Sequence, residues 1–213
     1  AYAWKLLINN LFCYTNKSNI IKIFLTTNIY KYLPGGIWHF VSRYNTLRLE
    51  FSTKKSVESI LLEPLLMLVS GLIFVPFGGS SIFFMIVCWS SVLVFLPGFR
   101  EIIIKKLTAM KATIFTKYDQ LEERSLVLDK QNIPNNIFYP YKPLFVEIIF
   151  ILFRFLGFLC CINAFSIGSL ISQGELISSF CLAWIIGLVV PAAPGGLGIF
   201  ESVILFSLGS HLP

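Results

Sequence analysis

Charge is scarce in this chain, and long stretches lack one sign of it altogether. Charged residues make up 13% of the 213, against about a quarter in ordinary globular domains. Lys and Arg are absent from residues 59–97 and again from 155–213. Histidine occurs twice, as His39 and His211, which excludes a histidine-rich metal centre. The five cysteines, Cys13, Cys88, Cys160, Cys161 and Cys181, lie in or beside apolar runs without metal-ligand spacing. They are expected to be buried free thiols acting as small hydrophobes. Nucleophile constellations, phosphate-binding loops and dinucleotide fingerprints are all missing, so no cofactor, metal or covalent catalysis is expected. The one acidic cluster, Asp119–Glu123 (DQLEE), reads best as a solvated helix face.

What remains is apolar. Hydrophobic residues are 56% of the chain and Phe alone contributes 21, the composition of an integral membrane protein. The apolar runs at 59–77, 81–96, 144–168 and 176–190 are read as transmembrane, with a shorter run at 197–208. Gly78-Gly79-Ser80 separates the first two, which predicts a helical hairpin. The segment IIKIFLTTNIYKY (Ile20–Tyr32) predicts an interfacial helix or half of a broken one. The chain starts at Ala1, and its last run holds about a dozen residues where a span needs about 20. It is therefore expected to be a fragment of a longer membrane domain.

Charge then sets the orientation. Residues 1–58 carry eight Lys/Arg and two acids, and residues 98–143 carry eight Lys/Arg and five acids. Basic segments flanking spans stay in the cytoplasm, so both are assigned there, and the hairpin between them crosses out and back. The net charge of +6 follows from this topology and does not imply nucleic acid. Within 98–143, IIIKKLTAMKATIF is a basic amphipathic helix suited to anionic headgroups, or a solvated charged loop.

Two helix interruptions match. Leu33-Pro34-Gly35-Gly36-Ile37-Trp38-His39-Phe40 and Ala193-Pro194-Gly195-Gly196-Leu197-Gly198-Ile199-Phe200 both read Pro-Gly-Gly, three residues, then Phe, 160 residues apart. Pro cannot donate to the helix ladder, and paired Gly opens other backbone angles. The helix is expected to stop there and a new one to start just after the glycines. Backbone freed in this way must be buried in protein or line a wet cavity, and corresponding interruptions in two halves point to a transport site. A simple kink or interfacial turn is the plainer reading. The restarted helix offers N–H groups and partial positive charge to an anion. Glu201, near one such start, is also simply favoured by the helix dipole.

Charges inside apolar runs need partners. Glu63 precedes Pro64 near the start of the first run. Glu147 and Arg154 are seven residues apart, nearly two helical turns, and share a face. Glu147 is expected to reach headgroup water. Arg154 lies deeper and is expected to meet Glu63, Glu201 or a bound phosphate.

Three phrases resemble the membrane region of the lysylphosphatidylglycerol synthases, also called multiple peptide resistance factors. They are KYLPGGIWHFVSR (Lys31–Arg43), SVESILLEPLL (Ser56–Leu66) and PAAPGGLGIFES (Pro191–Ser202), and they occur in the family's order. The resemblance implies the flippase-like part, which moves aminoacylated phosphatidylglycerol between leaflets. It does not extend to the soluble aminoacyltransferase domain, and residues 98–143 match nothing in it. The expectation is thus an all-α polytopic bundle, one membrane domain over 1–213, with re-entrant helices in two related halves, in the bacterial inner membrane. An anionic or aminoacylated phospholipid is the expected ligand. Pro34, Gly35, Gly36, Pro194, Gly195 and Gly196 would give backbone room and N–H groups. Arg43 and Arg154 would supply charge, Glu63 and Glu201 would orient them or meet an amine, and Trp38 and His39 would line the pocket. An accessory membrane subunit, or a transferase acting on lipid-linked sugars, is the alternative. The protein partners left open are a second copy and a glycosyltransferase or synthase.

Overall fold

The structure is a computed structural model that describes residues 1–12, 20–33, 37–49, 51, 53–79, 81–96, 98, 102, 139–165, 171–190 and 198–209. Every regular element among these residues is helical. In chain order they are α1 (Tyr2–Phe12), α2 (Ile20–Asn28), α3 (Trp38–Leu47), α4 (Thr53–Leu72), α5 (Ile82–Ser90), α6 (Tyr141–Ala164), α7 (Gln173–Val189) and α8 (Ile199–Leu208). Tighter 3₁₀ turns follow α2 (Ile29–Tyr32), α4 (Val75–Gly78) and α5 (Ser91–Phe95).

Two stretches are long and apolar enough to cross a membrane, Lys55–Gly78 and Tyr141–Ala164, each of 24 residues. At 1.5 Å per residue that is about 36 Å, more than the roughly 30 Å of a hydrocarbon core. Among the described residues, Ile82–Phe95, Gln173–Val189 and Ile199–Leu208 are apolar and shorter. α6 turns a bare apolar face outward. Phe145, Phe153 and Leu156 are exposed along it, as are Ile82, Phe83 and Ile86 along α5. Apolar faces of this kind mark surfaces that meet lipid or protein.

The chain divides into two compact units. One comprises Ala1–Lys31, Ile37–Pro64 and Leu93–Pro143; the other comprises Tyr32–Gly36, Leu65–Val92 and Leu144–Pro213. This interleaving does not follow the order of the chain. Its cause is visible in α4, one continuous helix whose residues up to Pro64 belong to the first unit and the rest to the second. Pro64 stands inside that helix, where it lacks the N–H that would bond the Ile60 carbonyl.

In the first unit, α1 packs on α2 and α2 on α3. Trp4, Leu7 and Ile8 are spaced i, i+3, i+4, the period that puts side chains on one helix face, and all three are buried, together with Tyr44 and Leu47 of α3. In the second unit, Val75, Ile151, Phe155, Leu176, Phe180, Cys181 and Leu208 form a core. Phe155, Phe158, Phe180 and Phe200 stack within or against it, with ring centroids 5.2–6.2 Å apart. Cys88 and Cys181 are buried as expected, whereas Cys160 and Cys161 are exposed on α6. The difference arises because that end of α6 faces outward, with Cys160 and Cys161 among apolar neighbours of the same exposed surface.

Helix ends follow local chemistry. Ser81 caps α5 by accepting from the Phe84 N–H at 3.4 Å. Ser172 and Glu175 form a reciprocal box on α7, each side chain accepting the other's backbone N–H at 3.2 and 3.3 Å. The reversal after α4 needs Gly79 at φ 85°, a left-handed conformation that costs glycine little. Trp89 Nε1–H of α5 then donates to the Ile73 carbonyl at 3.3 Å, tying the return strand of the hairpin to the end of α4.

Backbones approach closely where the 75–78 turn meets α7. A Cβ on Gly174 would collide with the Phe77 carbonyl oxygen, and Ser178 Oγ–H donates to the Val75 carbonyl at 2.5 Å. Gly174→Ala is expected to destabilise the fold by about 1–3 kcal/mol, the cost of overpacking against groups that cannot yield. Gly157→Ala, with open space around it, should leave stability unchanged or slightly raised. Unfolding of both variants in detergent, followed by circular dichroism, checks this.

Candidate functional site

Arg43 is the most enclosed charge described. It is 1% exposed, on the face of α3 that also buries His39 and Leu47. Its Nη1 donates to Glu63 Oε2 of α4 in a short ion pair. Its Nε donates to Thr27 Oγ1 of α2 at 3.1 Å. Thr27 can accept because its own hydroxyl proton is directed to the Ile23 carbonyl at 2.7 Å. Aromatic rings cover the guanidinium: Phe24 with its centroid 4.1 Å away and Trp4 at 5.2 Å. Contacts of this type contribute about 0.5–2 kcal/mol when desolvated. Burial draws the Arg43 guanidinium down from its ordinary range, while Glu63, by charge and hydrogen bond, pushes it back up.

Glu63 continues a buried polar stripe along α4. Ser56, Ser59 and Glu63 follow at i, i+3 and i+7 and are all buried. Ser59 Oγ–H donates to the Ser56 carbonyl at 2.9 Å. Two donors nearby in the fold of this unit, Trp4 Nε1 and Ser56 Oγ, are buried without a hydrogen-bond partner. Each such group costs about 1–3 kcal/mol.

Arg154 has a different setting. It is exposed near the middle of α6, with its guanidinium 4.3 Å from the Trp184 ring and 5.9 Å from the Phe150 ring. Neither expected carboxylate meets it. Glu63 holds Arg43, and Glu201 Oε2 accepts the Gly198 N–H at 2.8 Å at the start of α8. Glu201 thus serves its own helix end, the plainer of the two roles the sequence allowed. Glu147 is buried at 7% exposure, contrary to the expectation that it reaches headgroup water. It shares an azimuth with Arg154, but neighbours cover the helix at the level of Glu147 and leave it open at Arg154.

The residues on either side of the two Pro-Gly-Gly phrases are described. Helical structure runs to Tyr32 and resumes at Trp38, then runs to Val189 and resumes at Ile199. Gly198 at φ 83° precedes the second restart. Pro34, Gly35, Gly36, Pro194, Gly195 and Gly196 lie outside the described residues, as do the DQLEE cluster and the basic segment 103–138. Trp38 is exposed and His39 is buried, its ring 3.8 Å from that of Phe40.

Sequence reasoning found both arginines and Glu63 but missed the residues that house them: Trp4, Phe24 and Thr27 around Arg43, and Phe150 and Trp184 around Arg154. Among 21 Phe and four Trp, none of these carries a distinguishing local signal. No protein-family model, curated protein or solved structure matches the chain.

Removing one partner of a buried pair strands the other. Arg43→Met or Glu63→Leu alone is therefore expected to cost about 3–5 kcal/mol, and the double variant to recover most of that loss. A double-mutant cycle of detergent unfolding measures the coupling; additive single losses would show that the pair is not coupled.

Proposed function

We propose that this chain is a multi-pass protein of the bacterial inner membrane that binds an anionic or aminoacylated phospholipid and moves it between leaflets, without covalent chemistry. The observation that carries the reading is the Arg43–Glu63 pair, enclosed by aromatic rings against a helix of spanning length. Glu63 lies within that helix, and an ionisable group at membrane depth is costly and marks a pathway for polar cargo. Three further features support it. Two helices have the length and composition of spans. Described helical elements end at Tyr32 and Val189 and begin at Trp38 and Ile199, on either side of the two Pro-Gly-Gly phrases. Those phrases, with SVESILLEPLL, resemble the flippase-like region of the lysylphosphatidylglycerol synthases.

In this reading the ion pair holds α3 to α4, and polar groups beside it tolerate a headgroup where hydrocarbon would not.

A leaflet-resolved phospholipid assay tests the proposal in cells that carry or lack the full-length gene. Loss of the gene should lower the outer-leaflet share of an anionic or aminoacylated lipid. The Arg43→Met/Glu63→Leu double variant should accumulate normally and fail to restore that share. An unchanged distribution of every such lipid would favour an accessory subunit instead.

A further inference from the structure

The two arginines have similar housings and opposite charge balance. Arg43 lies between Trp4 and Phe24 with a carboxylate and a hydroxyl in hand. Arg154 lies against Trp184 and Phe150 with neither. Among the described residues no acid pairs with it, and Glu201, the acid that begins α8 in the same unit, is engaged with its own helix end.

Depth makes this matter. Arg154 is 13 residues from Tyr141 and ten from Ala164, about 20 Å and 15 Å along the axis. If α6 crosses a bilayer, Arg154 is therefore about a half-thickness of hydrocarbon from the nearer surface, too far for its head to reach bulk headgroups from either end. A guanidinium remains charged there, so its counter-charge must come to it. The face around it is apolar, with Phe153 and Leu156 exposed beside it, which suits acyl chains. Trp184 Nε1–H, on the ring that the guanidinium covers, is buried and has no hydrogen-bond partner. Tyr32, directly before the first interruption and in the same unit, lies within electrostatic reach of Arg154.

We infer that Arg154, held on the Trp184 ring, is the binding site for the phosphate of an anionic membrane lipid whose chains lie along the exposed face of α6. The guanidinium's planar fork presents paired N–H donors that match two phosphate oxygens. Stacking on Trp184 and Phe150 restricts the side chain before the ligand arrives. This inference rests on the lipid-handling reading and assigns a headgroup contact to Arg154.

The test reconstitutes the full chain in nanodiscs of mixed phosphatidylglycerol and phosphatidylcholine, extracts it gently, and quantifies co-retained lipid by mass spectrometry. The wild type should be enriched in phosphatidylglycerol. Arg154→Leu should lose that enrichment by about tenfold or more, the scale of a lost charge-assisted contact. Arg154→Lys should retain part of it, since charge persists without the fork. Trp184→Phe, which keeps the charge and the ring face, should weaken it less than Arg154→Leu. Wild-type enrichment in Arg154→Leu would overturn the inference and leave the lipid-handling reading intact. Absence of enrichment in the wild type would overturn both. Displacement of the lipid by excess inorganic phosphate would overturn the assignment to a lipid in favour of a free anion. Dissociation of a dimer in Arg154→Leu, with lipid retention unchanged, would overturn it in favour of an acid from a second copy.

Discussion

A charge removed from water must be answered by something, and the first unit is arranged around one such answer. The Arg43 guanidinium meets a carboxylate, a threonine hydroxyl and two aromatic faces, contributed by four different helices. α1 brings Trp4, α2 brings Phe24 and Thr27, α3 brings Arg43 and α4 brings Glu63. Hydrophobic contacts between these helices are non-directional and would tolerate sliding. The guanidinium is not so permissive, because its donors are fixed in a plane. A shift of any one helix by a turn would leave a buried charge or hydroxyl unanswered, which costs far more than a rearranged apolar contact. The polar cluster therefore contributes register, and the surrounding Leu7, Ile8 and Leu47 contribute the bulk of the burial.

The second unit is held in another way. Its interior is aromatic and aliphatic, with phenylalanines from α6, α7 and α8 meeting edge to face or tilted. Small residues bring backbones together where the turn after α4 meets α7. Close van der Waals contact between helices favours glycine and serine at such crossings, most of all where lipid replaces water. Gly174 and Ser178, four residues apart on one face of α7, fit that demand. The same unit leaves the Arg154 charge open to its surroundings, and of its acids Glu175 and Glu201 serve helix starts while Glu147 is buried.

Much of this organisation was readable in advance because it depends on local rules. The Pro-Gly-Gly phrases announced helix ends near Tyr32 and Val189 and restarts just beyond, since proline and glycine act on their own backbone. The hairpin turn at Gly78–Gly79 was legible for the same reason. Charges in apolar runs identified Glu63, Glu147 and Arg154 as residues that had to be accounted for, while Arg43 entered with the phrase KYLPGGIWHFVSR. Their partners were not legible. Glu63 pairs across 20 residues with Arg43, and nothing in spacing distinguishes that pairing from one with Arg154. Nor could spacing foresee that Glu147 is covered while Arg154 is open, because helical azimuth says which residues align and not what packs at each height. The interleaving of the two units depends on α4 running through both, a tertiary property that internal repeats do not encode.

The contact between Ser178 and the Val75 carbonyl carries one more implication. A 3₁₀ turn leaves peptide oxygens that a regular helix would have used, and Val75 is buried at 3% exposure. One serine hydroxyl from α7 takes up that oxygen. Axial rotation of α7 by a single residue, about 100°, would swing the hydroxyl away and strand the oxygen in apolar surroundings. The serine thus works as a key in a slot, fixing the azimuth of α7 against the turn after α4.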